Sequence, residues 1–234
     1  MSANPRPLNQ NRLLEKLNVK EYELLAPYLE PVSLSQRDVL FRPEDHPERV
    51  YFPTTSIVSL LTTLSDGNGM EVGLVGREGM VGISVVLGGS ETKVATVQAQ
   101  GETLMMKASK LREEFSRGGA IQSVLLRYTH ALMTQISQSV VCNARHPIEG
   151  RLARWLLMYH DRVEREEFEL THEFMSNMLG VRRAGVTEVA NKLQVMGFIS
   201  YQRGHVQILD RKGLEEFACE CYPVVKEKFN DFLL

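Results

Sequence analysis

Between about Arg37 and Lys107 the apolar positions come in short runs rich in Val, Ile, Thr and Phe: DVLF, RVYF, SIVSLLTTL, MEVGLVG, KVATVQAQ and TLMMKA. Turn-forming stretches separate them, namely RPEDHPE, FPTTS, SDGNG, GREG, VLGGSE and QGE. Many short strands punctuated by Gly, Pro, Asn and Asp predict an antiparallel barrel or jelly roll. Asp66-Gly67-Asn68-Gly69 is the clearest hairpin turn, because these residues tolerate positive φ.

After Gly118-Gly119 the period changes. Ala120 to Arg145 holds no Gly or Pro and ends before Pro147, which disfavours helical geometry in the residue preceding it. Such a helix would be about 38 Å long at 1.5 Å per residue. Leu126, Thr129, Met133, Ile136 and Val140 follow alternating steps of three and four, the spacing of a coiled-coil seam. Ile121, Leu125, Tyr128 and Leu132 make a second stripe on a neighbouring face. One stripe can cover the β domain while the other meets the same helix of a second chain, although a single broad face buried within one subunit would give a similar pattern. Ile148 to His160 then reads as an amphipathic helix, with Leu152, Trp155, Leu156 and Tyr159 on one side and Glu149, Arg151 and Arg154 mostly elsewhere. DRVEREEFE reads as a solvated connection.

Thr171 is well placed to N-cap a helix whose buried side is Phe174, Met178 and Leu179, and Gly180 stops it. The chain restarts as VRRAGVTEVANKLQVMGFI, with Val186, Val189, Ala190 and Leu193 inward and Arg183, Ala184, Thr187, Glu188 and Asn191 opposite. Two short helices joined by a Gly-containing turn make a helix-turn-helix pattern. Phe198–Tyr201, the turn Arg203-Gly204-His205 and Val206–Leu209 follow as a β-hairpin wing. A major groove admits one helix with a buried side and an exposed, hydrogen-bonding side. Arg182 and Arg183 suit phosphates or guanine, and Thr187, Glu188 and Asn191 lie on the face that meets base edges. Thr171, Lys192, Arg203 and His205 are placed to hold backbone. Helix-turn-helix geometry also occurs as mere packing with a polar outside.

Composition narrows the classes. At 234 residues with 43% hydrophobic and 24% charged residues the chain is globular, and no apolar run is long enough to span a membrane. The N-terminus lacks the pattern of a secretory signal and reads as a short disordered lead into a first helix. The net charge of −2 is spread almost evenly, so nucleic-acid binding must rest on a local patch. Cys142, Cys219 and Cys221 fit ordinary thiols of a reducing cytoplasm, and a one-residue gap between the last two is poor metal-clamp spacing. The six histidines are scattered, so neither a metal nor another cofactor is expected. His46 is the only histidine between residues 37 and 107, which argues against an enzyme on a metal-binding barrel.

The order of these segments, and above all LTHEFMSNMLGVRRAGVTEVANKLQVMGFI followed by RGHVQIL, resembles the Crp/Fnr family of bacterial transcription regulators over roughly residues 12–215. The resemblance implies an α+β chain in three parts. These are a cyclic-nucleotide-binding-like β-roll over 1–117, a dimerisation helix over 118–146 (seam Leu126, Met133, Ile136, Val140) and a winged helix-turn-helix over 147–234. It also implies a cytoplasmic homodimer that binds double-stranded DNA, contacts RNA polymerase and responds to a signal at the β-roll. The cyclic-AMP cassette of the family departs here. Gly82-Ile83 stands where the family has Gly-Glu, and Lys93-Val94 where it has Arg-Ser. Ile83 cannot accept a ribose hydroxyl, and Lys93 lacks the planar fork of arginine. Cyclic AMP is therefore not the expected effector, and another small molecule or a redox signal is the alternative. With no cysteine before Cys142, the family's N-terminal iron–sulfur sensor is excluded. The family's Arg-Glu-x-x-x-Arg recognition pattern becomes Arg183-Ala184 and Glu188, so a different operator is expected.

Overall fold

The computed structural model describes residues 11–65, 69–163 and 165–233. The expected lead at 1–10 and all of the expected 66–69 turn except Gly69 lie outside these residues. The chain opens with α1 (Arg12–Glu15) and α2 (Val19–Leu25), each N-capped by an asparagine. A 3₁₀ turn leads to β1 (Glu30–Leu34), β2 (Val39–Phe41), β3 (Arg49–Pro53), β4 (Ile57–Thr63) and β5 (Gly69–Val75). The short helix α3 (Ser84–Leu87) precedes β6 (Val94–Ala99) and β7 (Gly101–Lys107). β1, β7 and β3 form one antiparallel sheet in that order, and β2, β6, β4 and β5 form the other.

All six apolar runs are strands, as the alternation predicts. β1 is an addition to them, because EPVSL carries Pro31 and little apolar patterning. Its place at a sheet edge explains both: an edge strand tolerates proline and needs no two-sided burial.

Helices dominate the rest: α4 (Ala108–Ser116), α5 (Gly119–Arg145), α6 (Ile148–His160), α7 (His172–Leu179), α8 (Arg183–Val195), α9 (Arg211–Phe217) and α10 (Cys221–Leu233). β8 (Glu167–Glu169), β9 (Ile199–Gln202) and β10 (His205–Ile208) form a small sheet in the order β8-β10-β9. Thus DRVEREEFE is no simple connection, because Glu167–Glu169 pairs with β10. Two compact units result, one of Met1–Ser59, Val75–Ala131 and Phe229–Leu234, the other of Leu60–Leu74 and Leu132–Lys228. Among the described residues no helix is long and apolar enough to cross a membrane.

In the first unit Asn11 is fully buried and uses its whole amide. Its Oδ1 accepts from Leu13 and Leu14 N–H, and its Nδ2 donates to Pro53 O at 2.8 Å and Gly79 O at 2.6 Å. One side chain therefore caps α1 and seats it on the end of β3 and on the loop after β5. Glu21 Oε1 accepts from Ala120 N–H at 2.6 Å, placing a carboxylate at the positive end of α5. Tyr128 donates to Met80 O at 2.7 Å, and its ring lies where any Cβ on Gly79 would have to go.

The two stripes of the 27-residue α5 have opposite fates. Ile121, Leu125, Tyr128 and Leu132 are buried, whereas Leu126, Met133 and Val140 are at least half exposed. Thr129, counted in the seam, is buried, with its hydroxyl donated to Leu125 O. α6 departs from its expected amphipathicity. Every residue from Gly150 to Tyr159 is buried, Arg151 and Arg154 included. In the second unit Trp155 Nε1 donates to Glu71 at 2.9 Å, and Gln135 bonds both the N–H and the C=O of Leu74.

Asn11→Ala removes a helix cap and strands two buried carbonyls. Urea unfolding should show a loss of about 2–4 kcal/mol.

Candidate nucleic-acid interface

The site is built from the C-terminal helices upward. Thr171 caps α7, its Oγ1 accepting from Phe174 N–H at 3.1 Å. Gly180 ends that helix in the left-handed region at φ 62°. Val181 N–H bonds Ser176 O, and Gly180 N–H bonds Asn177 O, the double closure of a Schellman turn. Buried Arg151 donates to Leu179 O, satisfying a further carbonyl at the same end. The buried side of α7 is Met175, Ser176, Met178 and Leu179, while Phe174, expected inside, is only half-buried.

α8 restarts after Val181 and Arg182. Val186, Val189, Ala190 and Leu193 are all at most 4% exposed, as their i, i+3, i+4, i+7 spacing predicts. Arg182, Arg183, Ala184, Glu188, Asn191 and Lys192 are exposed. Among the described residues Arg182 and Arg183 make no salt bridge, so their donors remain available at the N-terminal end of α8. Thr187 is engaged inside the motif, its Oγ1 3.1 Å from Arg183 O and 2.9 Å from His172 Nδ1. A hydroxyl has one proton, so donation to Arg183 O leaves His172 Nδ1–H to donate to Thr187. Lys192 lies toward the flank of the exposed face, 3.4 Å from Glu149.

The wing is β9 and β10 with a two-residue turn. Arg203 has φ 50° and Gly204 φ 86°, the two positive values of a type I′ hairpin. Asn or Gly would sit at the first of these positions with less strain. An arginine there keeps a charge at the tip at a steric cost. His205 faces two carboxylates of the adjoining strand, Glu167 at 3.4 Å and Glu169 at 4.0 Å. Sequence reasoning misses β8, and with it this acidic edge, because the alternation in EFE is too short to register.

His172 locks the motif to the wing. Its ring stacks on Tyr201 with centroids 4.2 Å apart and planes 14° off parallel. Burial, helped by the nearby Arg183 charge, holds its pKa below the usual histidine value. No sequence signal marks this residue, because its partners lie 15 and 29 positions away in the chain.

In the β-roll, Gly82 has φ 98°, and an added Cβ would lie 3.1 Å from Val50 and 3.4 Å from the Phe41 ring. Ile83 precedes α3 and is half-buried. Ser84 donates to Glu91 at 2.7 Å, which ties this turn to the segment carrying Lys93 and Val94. Burial raises the Glu91 pKa against the opposing effects of Ser84 and of the Lys93 charge. Lys93 Nζ is 2.9 Å from Thr92 Oγ1, and Val94 begins β6.

N-terminal antiparallel β-sheets, a long helix and a winged helix-turn-helix together define a DNA-binding transcription-regulator fold. A cyclic nucleotide-binding domain matches residues 31–117, and a Crp-like helix-turn-helix domain matches residues 150–217. The chain belongs to the Crp/Fnr family of transcription regulators. Among solved structures, FixK2 from Bradyrhizobium japonicum is similar at 17% identity and TM-score 0.72, over 82% of this chain and 98% of that one. A Crp/Fnr-family regulator from Eubacterium rectale has 16% identity and TM-score 0.68, over 88% and 96%. One from Thermus thermophilus has 22% identity and TM-score 0.63, over 81% and 98%. No protein of curated function matches the sequence.

The depressed His172 pKa carries a sign. Above about pH 6.5 the imidazole is neutral folded or unfolded and contributes no pH dependence. As pH falls through that value the unfolded chain takes the proton first, so stability is lost toward the lower folded pKa. Denaturant midpoints between pH 8 and pH 5.5 should therefore fall with pH, and His172→Phe should flatten the decline.

Proposed function

We propose that the chain is a cytoplasmic, non-enzymatic, homodimeric regulator that reads duplex DNA through α8. The carrying observation is the division of that helix. Its four apolar residues are buried, while Arg182, Arg183, Ala184, Glu188 and Asn191 are exposed at and beyond its N-terminal end. Arg182 and Arg183 supply the groove-side cations. Glu188 accepts from cytosine and Asn191 bonds a base edge or phosphate. Thr187, with its hydroxyl held by His172, presents its methyl group. Thr171 caps α7 beside the backbone, Lys192 flanks it, and Arg203 supplies the wing's charge. His205, which faces Glu167 and Glu169, lies on the wing strand to hold backbone.

In this reading residues 1–117 are the sensor, 118–146 the dimerisation helix and 147–234 the DNA-binding part, and the regulator contacts RNA polymerase as its family implies. The exposed Leu126, Met133 and Val140 recur every seven residues, and half-buried Ile136 lies between them. A second α5 laid along them gives a two-fold dimer suited to a pseudo-palindromic operator. The nucleotide pocket is degenerate. Ile83 offers no acceptor to a ribose, and the charge of Lys93 is already opposed by Glu91. A non-nucleotide effector is the second reading, favoured by the aliphatic Ile83 at the ribose position and by the Glu91 carboxylate acting on Lys93.

Binding-site selection with the purified protein should return a two-fold motif. Arg183→Ala should cost about 1–3 kcal/mol and relax one base position. A uniform loss over all sequences would instead assign Arg183 to phosphate. Met133→Glu should give a monomer in analytical ultracentrifugation, and a dimer that survives it would remove α5 as the interface. Calorimetry should show no micromolar binding of cyclic AMP.

A further inference from the structure

Four metal-ligating side chains meet within the C-terminal unit. Cys142 and His146 stand one turn apart near the end of α5, and Cys219 and Cys221 flank the start of α10. Their ligand atoms all lie within 4.8 Å of one another. Cys142 Sγ is 3.4 Å from Cys219 Sγ, and Cys221 Sγ is 3.4 Å from His146 Nδ1. We propose that Cys142, His146, Cys219 and Cys221 form a tetrahedral site for a single zinc ion, whatever α8 reads.

The spacing fits a mononuclear ion. With Zn–S about 2.3 Å and Zn–N about 2.0–2.1 Å, a tetrahedron puts its ligand atoms roughly 3.6–3.8 Å apart. A four-iron cluster would hold each ligand on a separate iron and so spread them farther. A Cys142–Cys219 disulfide would need the sulfurs at about 2.05 Å and would leave Cys221 and His146 unused. Three thiolates with one imidazole are a zinc donor set.

The surroundings fit as well. His146 turns Nδ1 toward the sulfurs and Nε2 toward Glu220, 3.6 Å away, the carboxylate–histidine arrangement that orients a metal-bound ring. Gln138 Nε2 donates to Cys221 Sγ at 3.3 Å. Cys219 N–H bonds Gly150 O, and a Cβ on Gly150 would lie 3.3 Å from the Cys219 Cβ, so α6 needs glycine where this loop closes. Metal binding would release the thiol protons to water, leaving one net negative charge on the site. Arg151 and Arg154 are buried beside it, each with an Nε lacking a partner, and both interact electrostatically with Cys142. Among the described residues neither has a carboxylate partner, and buried cations are costly unless a counter-charge meets them. A zinc–thiolate centre is that counter-charge.

The short Cys219–Cys221 spacing, taken alone, argues against a metal. The fold overrides it by supplying the other pair from a helix 77 residues earlier in the chain. The clasp would join the end of α5 to the start of α10.

The test uses the full chain purified under reducing conditions. One zinc per chain is expected by elemental analysis, released when a mercurial titrates the thiols. Cobalt should replace it with thiolate charge-transfer and tetrahedral d–d bands. Cys142→Ser and Cys221→Ser should abolish both signals. As these core changes can unfold the chain, Glu220→Gln on the exposed rim should weaken zinc about 10–100-fold in chelator competition, and His146→Asn, which removes a ligand, should weaken it at least as much, both with unchanged circular dichroism. Protein that takes up neither zinc nor cobalt, that carries iron with acid-labile sulfide, or that binds zinc equally well in all four variants overturns the proposal.

Discussion

The left-handed turn at Gly180 sets the angle between α7 and α8, and the exposed face of α8 is defined only relative to that angle. Its φ of 62° is open to glycine at little cost, and a Cβ there would lie 2.7 Å from the Met70 side chain. Backbone closure to Ser176 and Asn177 and the buried Arg151 at Leu179 hold the turn from both sides. With the turn held, burying Val186, Val189, Ala190 and Leu193 leaves one outcome for Arg183, Glu188 and Asn191, which is outward. His172, stacked on Tyr201 and bonded to Thr187, ties the wing to the same frame. The site is thus positioned by packing and its chemistry is left free, the division a reading surface needs.

α5 shows the same economy on a larger scale. One stripe is consumed by the chain's own core, and Tyr128 with Glu21 at its start anchors it there. Leu126, Met133 and Val140 of the other stripe stay exposed although they are apolar. The end of the same helix carries Cys142, with His146 just past it, so one element serves the core, the exposed apolar positions and the thiol cluster.

Buried charge is the least expected feature. Arg151 and Arg154 lie on the helix that periodicity reads as amphipathic with its arginines outward. One guanidinium completes the end of α7, and both lie beside sulfur. Neither role has a sequence signature, because an arginine's long stem can be drawn inward wherever acceptors wait at the end of it.

What the residues determined alone was local and periodic. The six strand runs, the unbroken α5, the cap at Thr171, the stop at Gly180, the buried stripe of α8 and the hairpin around Arg203-Gly204 all follow from spacing or from a single residue's backbone preference. β1 escapes because an edge strand needs no two-sided pattern, and β8 because three residues cannot show one. Only tertiary structure decided that His172 meets Thr187 and Tyr201, that His205 meets two glutamates, and that four ligands from two distant segments converge. Hydrophobic periodicity is written within a turn or two of chain, whereas a site assembled from α5 and the start of α10 depends on packing that no short window contains.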